Sequence, residues 1–99
     1  MPVFKPAAIA KDVNAVAREF RPDVVRIRYE AHPGWSGDPA VHFRILLSDD
    51  AIGDRMHEVA TKIRKRLDKR LKLVDLGYLT YFNFRGESEQ AEMQDESWN

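Results

Sequence analysis

The stretch VVRIRYEAHPGWSGDPAVHFRILLS, residues 24–48, decides the fold. From Val24 to Glu30 the residues alternate, with Val25, Ile27 and Tyr29 on one face and Arg26, Arg28 and Glu30 on the other. From Ala40 to Ser48 they alternate again, with Val41, Phe43, Ile45 and Leu47 inward and His42 and Arg44 outward. A period of two with β-branched and aromatic residues predicts two half-buried strands. The intervening Ala31 to Pro39 is rich in turn formers, and a loop of that length most simply joins antiparallel neighbours.

The flanks supply the second layer. Pro6 to Phe20 reads as a helix: Pro6 suits a first turn, and Ile9, Val13, Val16 and Phe20 fall on one face. Arg21-Pro22 ends it, because the residue before proline avoids helical backbone. Ser48 is expected to cap a second helix, with Asp49 and Asp50 in its first turn. Its stripe is Ile52, Met56, Val59, Ala60, Ile63, Leu67 and Leu71, and it ends between Leu71 and Gly77. Tyr78 to Arg85, dense in aromatic residues, reads as a third strand. The order α-β-β-α-β predicts an α+β two-layer sandwich, a small, mostly antiparallel sheet with two helices on one face. Residues 1–85 form the single domain, and 86–99 an acidic tail, flexible or holding a loose helix, with little but Ala91, Met93 and Trp98 to bury.

Composition narrows the class. The chain has 99 residues, 43% hydrophobic and 32% charged, which suits a globular domain. No apolar run is long enough to span a bilayer, and the start lacks the long apolar stretch of a secretory signal. Cysteine is absent, which excludes a disulfide, a thiolate nucleophile and a zinc–cysteine site. A cytoplasmic location is the expectation. Sixteen basic and sixteen acidic residues balance overall, but not locally. Lys62, Arg64, Lys65, Arg66, Lys69, Arg70 and Lys72 crowd one segment with Asp68 alone against them, while Glu87, Glu89, Glu92, Asp95 and Glu96 have no basic neighbour. Such polarity suits contact with another macromolecule.

Four constellations are candidates for function. The basic helical run would meet an acidic partner or phosphates, though bases closing a helix also suit its dipole. Arg26, Arg28, His42 and Arg44 share one sheet face, where like charges repel unless an anion covers them. Asp50, Asp54, His57 and Glu58 are spaced along the second helix as a divalent-metal set would be, and equally as an acidic first turn. The loop Gly34-Trp35-Ser36-Gly37-Asp38 presents a tryptophan, a residue type enriched at binding hot spots. It matches no phosphate-loop pattern. Ser36, His32 and Asp38 lie in one loop without an evident oxyanion hole, so no catalytic triad is expected.

The strand, Gly34 to Gly37 loop and following strand distantly resemble the minimal nucleotidyltransferases, which carry a Gly-Ser loop and then an Asp-x-Asp pair. Here the second strand reads Val41-His42-Phe43-Arg44-Ile45, without carboxylates, which rules out nucleotidyl transfer. The whole chain is more similar to a group of small bacterial proteins that accompany HEPN-domain partners, a class including toxin ribonucleases. That resemblance is carried by residues 24–30, Trp35-Ser36-Gly37, Phe43 to Asp49, and residues 83–90. It implies a non-catalytic antitoxin-like or accessory subunit.

The expectation is therefore a protein-binding module, not an enzyme, with no cofactor and no metal. Trp35, Glu87, Glu89, Glu92, Met93 and Trp98 would meet a partner protein, which the resemblance implies is a HEPN-type toxin. Trp98 and Met93 would be apolar anchors and the acids would steer approach. The alternative is an RNA- or other nucleic-acid-binding module using Arg26, Arg28, His42 and Arg44 with the aromatic third strand, which would stack bases on an open sheet. A homo-oligomer is possible through the third strand if it is an edge. No membrane partner is expected.

Overall fold

The computed structural model describes residues 6–98. Helix α1 (Pro6–Glu19) leads to strands β1 (Val24–Ala31) and β2 (Ala40–Leu47). A 3-10 turn (Asp49–Ala51) precedes helix α2 (Met56–Leu71), and a second (Val74–Leu76) precedes strand β3 (Leu79–Gly86). Helix α3 (Glu87–Met93) and a last 3-10 turn (Glu96–Trp98) complete the chain.

The architecture is an α+β two-layer sandwich. Its sheet order is β1-β2-β3, with β1 antiparallel and β3 parallel to the central β2. The expected antiparallel hairpin is present, and the sheet is mixed because the β2–β3 connection is a helical crossover. Helix α2 carries the chain back along the sheet, so β3 starts at the end where β2 starts. Val41, Phe43, Ile45 and Leu47 all point inward and are fully buried. They meet Val13 and Val16 of α1 and Val59, Ile63, Leu67 and Leu71 of α2 in one core. Burying each of the larger side chains contributes about 1.5–3 kcal/mol. Phe43 also stacks on Phe82 of β3, centroids 5.3 Å apart.

Two local expectations are corrected. A β-bulge between Val24 and Arg26 shifts the alternation. Val24 therefore takes the core position and Val25 is 44% exposed. The second helix begins at Met56, not after Ser48. Gly53 adopts φ 113 in the intervening turn, a backbone state that breaks a helix and suits only glycine well. Ser48 makes no side-chain cap, and Asp49 uses its carboxylate elsewhere.

The tail, expected as flexible or as a loose helix, carries α3 and the last 3-10 turn. Asp49 caps α3: its Oδ1 accepts the Ser88 backbone N–H at 3.1 Å and its Oδ2 accepts the Ser88 hydroxyl at 2.6 Å. The buried Gln90 accepts from Arg85 at 2.8 Å and donates to the Asp95 carbonyl at 2.6 Å. Arg85 lies 4.3 Å over the Trp98 ring, and Trp98 is only 5% exposed. Polar contacts and the buried Trp98 together hold the segment down.

Two members of the basic run tie the helices together. Arg66 pairs with Glu19 at 2.7 Å and Arg70 with Asp12 at 3.0 Å. As α1 advances α2 recedes, so the helices are antiparallel. Such exposed pairs contribute roughly 0–1 kcal/mol each and mainly fix orientation.

Candidate binding surface at the hairpin end

The β1–β2 loop is built from its backbone outward. His32 N–H donates to the Ala40 carbonyl at 3.1 Å, Gly34 N–H to Asp38 at 2.9 Å, and Gly37 N–H to Gly34 at 2.8 Å. Gly37 holds φ 88, which explains glycine there. Ser36 Oγ donates to Asp38 Oδ2 at 3.1 Å.

A ladder of rings fixes the loop to the open sheet face. His32 stacks on His42 at 3.8 Å, and His42 stacks on Tyr81 at 4.8 Å, with interplanar angles of 9° and 11°. Parallel register brings Tyr81 opposite His42. Gly34 is buried against the Tyr81 side chain.

With its neighbours tied inward, Trp35 stands 96% exposed. The same end of the molecule carries the α2–β3 connection, because Leu79 N–H donates to the Pro39 carbonyl at 2.9 Å. Val74, Leu76 and Leu79 are exposed there. A shallow cleft of about 370 Å³ lies at the loop base, lined by Ala31, His32, Pro33, Pro39, Ala40 and Tyr78 among others. Trp35, Val74, Leu76 and Leu79 are thus exposed at one end of the molecule, with Asp38 and Asp75 exposed among them, a mix of apolar and charged groups suited to a protein partner.

The open face differs from the nucleic-acid expectation. Arg26 and Arg28 are exposed, with Arg28 opposite Arg44. Glu30 lies 3.4 Å from Arg44 and 3.8 Å from His32, so one carboxylate serves both. The Arg44 contact is close enough for ion pairing but not aligned as a hydrogen bond. His42 has both ring faces covered and offers no stacking surface for a base. Burial lowers its pKa, with His32 and Arg44 acting in the same sense against the weaker pull of the His32 backbone and Glu30. The far end of this face is occupied by Arg85 and Trp98.

The remaining predicted residues disperse. Trp98 is buried within the chain and is no surface anchor, which corrects that assignment: Arg85 already covers its ring. Met93 is 55% exposed, and Glu87, Glu89 and Glu92 face solvent on α3. Asp50 lies in the first 3-10 turn and Asp54 in the following turn, whereas His57 and Glu58 belong to α2. The helical spacing that would have aligned them therefore does not exist. Glu58 pairs with Lys62 at 2.8 Å. No three metal-ligating side chains converge among the described residues. Lys62, Lys65, Arg66 and Lys69 flank a shallow groove with Glu19 and Phe20. Ser36 is bonded to Asp38 while the His32 ring lies on His42, so no relay joins the three.

Sequence reasoning placed Tyr81 and Leu79 in the third strand without tying either to the hairpin loop, and missed Val74 and Leu76. Val74 and Leu76 were visible as hydrophobic residues outside any helical or strand period. Tyr81 required the parallel register.

No family model, curated protein or solved structure matches this chain. No helix among the described residues is long and apolar enough to cross a membrane.

Proposed function

We propose that this chain is a non-catalytic protein-binding module that docks a partner protein through its hairpin end, with Trp35 as the anchor. The observation that carries this reading is Trp35 at 96% exposure on a loop whose backbone is otherwise bonded and stacked in place. A tryptophan presented this way loses little conformational freedom on binding, and buries roughly 150–250 Å² of surface when a partner covers it. Leu76, Leu79 and Val74 supply a surrounding apolar rim. Glu87, Glu89 and Glu92 supply steering charge for a basic partner, and Met93 an apolar contact beside them.

The resemblance to proteins that accompany HEPN-domain partners makes the partner a HEPN-type toxin and this chain its antitoxin-like or accessory subunit, acting in the cytoplasm. A nucleic-acid-processing toxin has a basic cleft, which complements the acids of α3.

The test is titration calorimetry of the full chain against a purified HEPN-domain toxin. Trp35→Ala is expected to weaken binding by about 2 kcal/mol or more, roughly 30-fold, with an unchanged melting temperature. Undiminished affinity in Trp35→Ala would end this reading. If RNA binds instead, and Arg26→Ala with Arg28→Ala abolishes that binding, the function moves to the open face.

A further inference from the structure

We propose that β3 is a self-pairing edge, and that two copies of this chain join β3 to β3 antiparallel about a two-fold axis to form one continuous six-stranded sheet. The inference does not rest on Trp35 or the hairpin loop, although it draws Leu79, Glu87 and Glu89 into a contact between copies.

The edge is open and regular. Strand β3 pairs with β2 on one side only. Leu79 N–H points to β2, where it meets the Pro39 carbonyl. Backbone groups alternate sides along a strand, so the N–H and C=O of Thr80, Phe82 and Phe84 point away from β2. The strand carries no bulge in its pairing with β2, and its sequence LTYFNFRG contains no proline. The opposite edge, β1, is interrupted by its bulge and carries Arg26, Arg28 and Glu30. Proteins blunt edges with such features, and β3 has only Arg85 among them. Phe82 and Phe84 pack against the core yet remain partly exposed.

The occupant follows from symmetry and charge. A two-fold at Phe82 pairs Phe82 with its own copy and Thr80 with Phe84, using the outward-facing backbone groups. Leu79 then lies opposite Arg85, so no like charges meet. The antiparallel sense also matches the molecule's polarity. The basic last turns of α2, with Lys69, Arg70 and Lys72, sit at the end where β3 starts, since the Tyr78 N–H bonds back to Leu73. The acidic first turn of α3, with Glu87 and Glu89, sits at the end where β3 stops. Antiparallel pairing sets each acidic end beside the other copy's basic end, and parallel pairing would set acid beside acid.

Sedimentation of the full chain across micromolar to hundreds of micromolar concentrations is the first readout, with amide exchange of Thr80, Phe82 and Phe84 as the second. A dimer that weakens with salt is expected, with those three amides protected at high concentration and exposed on dilution. Thr80→Pro removes an outward donor and leaves the β2 ladder intact, so it raises the dimer dissociation constant about tenfold or more. A monomer at every concentration would overturn the proposal. So would a dimer whose Thr80, Phe82 and Phe84 amides exchange independently of concentration. The exchange readout needs no variant, so a Thr80→Pro chain that fails to fold leaves the decision intact. Trp35→Ala leaves the dimer unchanged.

Discussion

The Tyr81 hydroxyl occupies the space into which any side chain at Gly34 would grow: a Cβ built there falls 2.8 Å from the hydroxyl oxygen. Tyr81 is not free to swing aside, because its ring stacks on His42. Gly34→Ala is therefore expected to destabilise the fold by about 1–3 kcal/mol through overpacking. Adding Tyr81→Phe removes the colliding oxygen and should restore part of the loss. Urea unfolding of the single and double variants measures both, and additive losses would show that the two residues do not communicate.

His42 makes stability depend on pH. Burial and the neighbouring His32 and Arg44 hold its pKa below the ordinary 6.5, so the folded state binds the proton less readily than the unfolded chain. Above that value neither state is protonated and stability is flat. As pH falls through it the unfolded chain takes up the proton first, and stability declines until folded His42 is also charged. Denaturant midpoints between about pH 8 and pH 5 should fall on acidification. His42→Phe, which keeps a ring in the ladder, should flatten that slope. An unchanged slope would assign the effect to another group.

The tail answers to Asp49. Its two hydrogen bonds from Ser88 lower its pKa. The stabilisation is present above the unfolded carboxylate value near 3.8 and is lost as pH falls through the lower folded value. Asp49→Ala removes both acceptors from Ser88 at the start of α3 and is expected to loosen the segment. In a Trp35→Phe background, where Trp98 is the sole tryptophan, the emission of Trp98 should shift red in Asp49→Ala while far-ultraviolet dichroism changes little. Unshifted emission would mean that Arg85 and Gln90 hold the segment without Asp49.

Much of this fold was legible because period and burial coincide. Val41, Phe43, Ile45 and Leu47 recur at every second position of β2, and Val59, Ile63, Leu67 and Leu71 repeat at helical spacing, so each element follows from a short window. What escaped lies in contacts between distant residues. Asp49 reads as a helix-opening acid until Ser88, thirty-nine residues on, is seen to take its carboxylate. Trp98 reads as a loose end until Arg85 covers it. Val25 reads as core because a bulge leaves no mark in a hydrophobic pattern. Among the proposed surface residues, Trp35 was found from its loop alone, but nothing local reveals that His42 lies between two rings.

The central position of β2 also orders the assembly of the chain. Its pairing with β1 closes a short local loop, whereas its pairing with β3 must wait for α2 to form and cross. Non-local closures of that kind come late and carry more entropy loss. The docking of Trp98 can follow only after β3 is seated. Phe43→Leu is therefore expected to slow refolding, while Arg85→Ala leaves refolding nearly unchanged and hastens unfolding. Stopped-flow chevrons of the two variants distinguish an early hairpin nucleus from its latest addition, and a slowed folding limb in Arg85→Ala would reverse the order.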